Sequence, residues 1–165
     1  MDTKNLFDSY AYFGALCRQN RLAQVHGFQL CRCSGLNGLQ EAIDKFRMAS
    51  AFFCIDDTTD GTTFERNGGY FQRRVFTVFL LKNYQFDNMQ DRMDSLMVCR
   101  RLFAQLYSRM LVDSDRLYNE LIYLNTNRVH FREIENYFLN GCTGLYFMID
   151  VDEPVNLAYD EAEWA

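Results

Sequence analysis

The sequence is short of several things, and each shortage narrows what the chain does. No run of ~20 uncharged apolar residues occurs, so no membrane-spanning helix is expected. Asp2, Lys4 and Asp8 interrupt the first turns, which leaves no apolar core for a secretory signal. No lysine or arginine follows Arg132, whereas Glu133, Glu135, Asp150, Asp152, Glu153, Asp160, Glu161 and Glu163 do. The net charge is −5, the wrong sign for a default nucleic-acid binder, which needs a basic face. There is no Gly-rich phosphate loop, no G-x-S-x-G elbow and no H-E-x-x-H. Nothing in the pattern therefore pairs a nucleophile with a base, and no cofactor is expected. Internal repeats, low-complexity tracts and linkers are also missing, so residues 1–165 read as one domain.

What is present suits a globular core: 48% of residues are apolar and only 24% are charged. Aromatics reach 16%, an excess that favours protein–protein contact as well as core filling. Six cysteines (17, 31, 33, 54, 99 and 142) show no disulfide framework, and reduced cytoplasmic thiols are the simplest account.

Leu6, Tyr10, Phe13 and Cys17 predict a helix over 3–19, with Thr3 as its cap. Residues 20–35 read as irregular, and 36–46 as a short helix carrying Leu39, Ile43 and Phe46 on one side. "SAFFCID" at 50–56 is a strand, 57–70 a polar loop, and 70–84 a second strand. In that strand Val75, Thr77, Phe79 and Leu81 alternate with Phe76, Val78 and Leu80, which makes a long antiparallel hairpin. Asp87 is expected to cap a long helix over 88–111 bearing Met89, Met93, Leu96, Phe103, Tyr107 and Met110, with "DSD" at 113–115 ending it or starting a short extra turn. "RVHFREIENYF" and "GLYFMIDV" form a second hairpin closed by Pro154, and "VNLAYDEAEW" offers a short edge strand. The fold class expected is α+β: an antiparallel sheet of four or five strands from two hairpins, with one long and one or two shorter helices mainly on one face.

The stretch "AFFCIDDTTDGTTF" at 51–64 is the most suggestive of chemistry. As a calcium loop, Asp56, Thr58, Asp60 and Gly61 stand in suitable places, but Asn67 occupies the position of the bidentate glutamate. "TTDGT" resembles the D-x-D-G-T motif of haloacid-dehalogenase-like phosphatases, yet Thr58 stands where the nucleophilic aspartate belongs. A Mg²⁺-dependent enzyme using Asp56, Asp57 and Asp60 needs further carboxylates from other elements. A polar turn is the simpler reading. His26, Cys31 and Cys33 place three soft ligands together, short of the paired knuckles of a structural zinc site. His130, beside Arg128 and Arg132 with Glu133 and Glu135 near, reads as a surface histidine.

The order of N-terminal helix, "AFFCID", polar loop, "RVFTVFLL", long helix, "VHFREIE" and "GLYFMIDV" resembles the small tail-completion and tail-terminator proteins of tailed bacteriophages and prophages, over roughly residues 50–152. The resemblance implies a structural protein without catalytic residues, found in the bacterial cytoplasm or in the virion. It implies a ring, often hexameric, that meets tail-tube or connector proteins. Candidate contact residues are Asp56, Asp57, Asp60, Asp150, Asp152 and Glu153, on the acidic loop and the acidic 150–163 segment. The rival readings are a monomeric adaptor for another protein's helix or strand, and a metal-dependent enzyme built on the 56–60 loop.

Overall fold

A computed structural model describes residues 7–46, 48–134 and 141–165. The first helix, α1 (Ser9–Gln19), starts at Asp8, whose carboxylate accepts from the Ala11 N–H at 3.0 Å. Thr3 and Leu6, expected as cap and first core position, lie outside the described residues. Asn20 ends α1 and caps the next helix, α2 (Arg21–Val25), by accepting from the Ala23 N–H. The expectation of irregular chain over 20–35 is corrected here. After Gly27, at φ +65°, the chain enters β1 (Phe28–Cys33). The helix α3 (Gly35–Lys45) then carries it over to β2 (Ala51–Asp56), which runs parallel to β1.

The hairpin expected between 50–56 and 70–84 is present as an antiparallel pair, with Ala51 opposite Lys82 and Ile55 opposite Val78 on β4 (Gly69–Asn83). The intervening polar stretch is itself mostly strand, a second correction. β3 (Asp60–Arg66) folds back on the first half of β4 through Asn67 and Gly68, at φ +52° and +80°. Two successive positive φ angles make a type I′ turn, whose twist suits a two-residue hairpin loop. β2 and β3 thus lie end to end along one edge of β4. Along the other edge runs β7 (Cys142–Pro154), from Pro154 opposite Phe71 to Cys142 opposite Asn83. β5 (Tyr123–Leu124) and β6 (His130–Ile134) pair with the far side of β7. The class is α+β, but among the described residues the sheet has seven strands and one parallel pair instead of four or five antiparallel strands. "VNLAYDEAEW" adds no strand; it ends in a 3₁₀ turn at Glu161–Glu163.

The long helix α4 (Met89–Asn119) is capped by Asn88, not Asp87, and runs straight through "DSD". Its buried stripe is Leu96, Cys99, Leu102, Leu106, Met110, Asp113 and Leu117, whereas Met89, Met93 and Leu111 are exposed. The first turns of α4 overhang the sheet: the Ser95 hydroxyl meets the carbonyl of Asn83, the last residue of β4. Asp113 is tolerated inside because the Tyr12 hydroxyl and the Arg109 guanidinium donate to it, which ties α1 to α4.

Helices α1, α2 and α4 cover one face of the sheet around Phe13, Phe53, Leu80 and Phe147. On the other face α3 sets Leu39, Ala42 and Ile43 against Phe52, Cys54, Phe79 and Leu81, at the β1–β2 end only. No described element covers the remainder. There, cross-strand rows have no helix over them: Asp60–Val75–Asp150, Thr77–Met148–His130, and Thr62–Arg73–Asp152–Tyr123, all exposed or half-exposed except the buried Asp152.

Candidate functional site

The acidic loop is a fastening. One Asp56 oxygen accepts from the Gly35 N–H, the Thr58 N–H and the Thr58 hydroxyl, at 3.1, 2.9 and 2.7 Å. Asp57 accepts from the Ser34 hydroxyl at 2.6 Å, and its N–H donates to the Cys33 carbonyl. The loop is therefore stitched to the β1–α3 junction. Asp60 and Gly61 already belong to β3, and Asn67, at the place of the bidentate glutamate, sits in a different turn from the rest of the calcium pattern. Asp56 and Asp60 share a cavity of about 190 Å³ on the open face with Val75, Thr77 and Met148. Asp57 lines another cavity, beside Arg32 and Arg74 near the start of α1. Among the described residues, no three His, Cys, Asp or Glu side chains are grouped to hold a metal ion.

The soft-ligand trio comes apart as well. Cys31 and Cys54 are register partners on β1 and β2 and are joined by a disulfide, against the expectation of six reduced thiols. His26 caps the end of α2, and its pKa is lowered, first by partial burial and then by Lys82 and Arg101. Cys17, Cys33, Cys99 and Cys142 are free and buried. Burial pushes the thiols of Cys17 and Cys142 up to about 11 and those of Cys33 and Cys99 to about 12. They stay protonated at neutral pH, so none is poised as a nucleophile.

The distal acids divide too. Asp150 is half-exposed in the row with Asp60 and Val75. Asp152 is buried and takes a two-pronged pair from Arg73 at 2.7 and 2.9 Å. Glu153 is wholly buried on the helical face, with Arg74, Gln72 and the Phe7 N–H donating to it. A solvated acidic edge describes neither of these two.

Sequence reading missed an aromatic groove of about 490 Å³ where the β3–β4 turn meets the end of α4; its walls include Arg66, Phe71, Tyr118 and Tyr123. Phe64 stacks on Phe71 at 6.0 Å, Tyr123 meets Phe71 edge-on at 6.2 Å, and Tyr118 meets Tyr123 edge-on at 5.1 Å. The Arg66 guanidinium lies 5.3 Å from the centre of the Phe64 ring. Rings with one cation at the rim suit an apolar or aromatic group carrying negative charge. The Asn67-Gly68 dipeptide was the available signal for the turn; no spacing joins Tyr118 and Tyr123 to it. No protein-family model matches the sequence, and no curated protein matches it either.

Proposed function

We propose that the chain is a non-enzymatic assembly protein. It acts by associating into a ring and contacting neighbouring structural proteins, in the manner of the phage tail-completion and tail-terminator proteins that its element order resembles. The observation that carries this reading is the uncovered half of the sheet. Val75, Thr77 and Met148 lie half-exposed there, between strands β3 and β6 that, among the described residues, are each paired on one side only. An open sheet face and unpaired edges are templates for a neighbour's strand or side chains. Contact between two different surfaces of one chain repeats around a closed ring when the rotation permits. In the host cytoplasm or in a virion, the partners are copies of this chain and tail-tube or connector proteins. Asp56, Asp60 and Asp150, on the same face, repel a passing nucleic acid by like charge.

The experiment is native mass across a wide concentration range, with negative-stain images of the large species. Closed rings that Met148→Glu reduces to monomers support the reading, since a charge at this half-exposed position leaves the core untouched. A strict monomer that binds one foreign protein in equal numbers replaces it with the adaptor reading.

A further inference from the structure

The segment 155–165 leaves β7 beside the groove, its Val155 N–H donating to the Tyr70 carbonyl at 3.0 Å. It then forms no strand and presents three large apolar side chains to water: Leu157, Tyr159 and Trp164 are 52%, 74% and 70% exposed. Tyr159 and Trp164 stack on each other at 6.2 Å, and no residue beyond Pro154 lines the groove of its own chain. The segment also carries Asp160, Glu161 and Glu163 with no basic residue. So many exposed anchors on so short a stretch need a cover, and the acids select a basic one.

The groove supplies both halves of that complement. Its volume lies in the ~300–1,000 Å³ range of ligand pockets, and its walls are Phe71, Tyr118 and Tyr123. Arg66 stands at its rim over the Phe64 and Phe71 rings, with no ion pair among the described residues. Resting on the self-assembly reading above, we infer that the Tyr159–Trp164 portion of one copy docks into the aromatic groove of a second copy, its carboxylates meeting Arg66. Donor and acceptor are different surfaces, so each copy gives one segment and receives another. That is the heterologous contact from which a ring closes.

Trp164 is the only tryptophan, so its emission reports on the docking directly. Emission and native mass are followed together as the full-length chain is concentrated. The expected result is water-exposed emission in the dilute monomer and a blue shift that tracks association. Arg66→Glu and Tyr118→Ala, both at surface positions, are expected to abolish the shift and weaken association by about tenfold, with unchanged circular dichroism. Association with unshifted emission overturns the inference and leaves the ring reading standing. A blue-shifted monomer at the lowest concentration also overturns it, because the segment then lies in its own groove. A shift that survives both groove variants but is lost in Met93→Glu moves the acceptor to the exposed methionines of α4, which overturns it too. A chain that stays monomeric with exposed emission throughout overturns both the inference and self-assembly.

Discussion

Arg74 on β4 reaches Glu153 on β7 at 2.6 Å, and the Glu153 side chain is fully buried. The pair is closed off by neighbours: Gln72 donates to the same carboxylate oxygen, the Phe7 N–H donates to the other, and Arg74 donates to the Phe7 carbonyl. Residues far apart in the chain are thereby locked at the start of α1. Removing one partner leaves a charge with no compensation. Glu153→Ala is therefore expected to lower unfolding stability by about 3 kcal/mol, the low end for a buried pair because Arg74 retains 22% exposure. Urea denaturation measures this. Combining Arg74→Met with Glu153→Leu is expected to cost less than the sum of the two single changes.

Gly144 marks a place where backbone, not side chain, sets the limit. It sits in β7 between Leu81 of β4 and Ile134 of β6, at φ +149°. A Cβ there would meet the Leu80 carbonyl oxygen at 2.0 Å. Gly144→Ala is expected to cost about 3 kcal/mol or more and to deplete folded protein on expression. At Gly69 the nearest atoms to a Cβ lie 3.8 Å away, so Gly69→Ala serves as the tolerated control. Equal losses for the two variants would contradict this account.

These contacts show where sequence reading succeeds and where it stops. The pairing of 51–55 with 78–82, the β6–β7 hairpin and the long helix were legible because apolar residues repeat at the strand or helix period. β3 was not, since nearly every side chain on it is exposed and it has no buried face to alternate with. β1 was missed because "FQLCRC" is short, its polar Gln29 and Arg32 stand three apart and break the strand alternation, and its partner is parallel, reached only through α3. Asp152 and Glu153 read as solvated because Arg73 and Arg74, which bury them, lie 79 residues away. The aromatic groove failed for the same reason, being assembled from β4, α4 and β5.

The Cys31–Cys54 disulfide closes a loop across a sequence separation of 23 residues, beneath α3. Loop closure of that length is worth about 3 kcal/mol, comparable to burying a whole leucine side chain. Reductant is therefore expected to lower the urea midpoint of the wild-type chain and to leave that of Cys54→Ala unchanged. Thiol titration in denaturant supplies the count: four reactive groups before reduction and six after it. Six groups without reductant would show the bond absent.

Alkaline pH tests the buried thiols. The folded values of Cys17, Cys33, Cys99 and Cys142 lie at about 11 to 12, against 9.0 for an ordinary thiol. Tyr12 is likewise raised above 10.0, by burial first and then by its hydrogen bond to Asp113. When the folded value exceeds the unfolded one, the unfolded chain releases its proton first. The stabilisation is thus complete below the unfolded value and disappears as pH climbs through the folded one. Unfolding free energy is expected to hold up to about pH 9 and then to fall, each thiol contributing about 1.4 kcal/mol per pH unit inside its window. Tyr12 adds its share above about pH 10. Cys99→Ala, at a fully buried position facing the sheet, should remove one thiol's part of that slope, as urea unfolding at successive pH values would show. A stability that stays flat to about pH 11 would mean that these thiols titrate alike in the folded and unfolded chains.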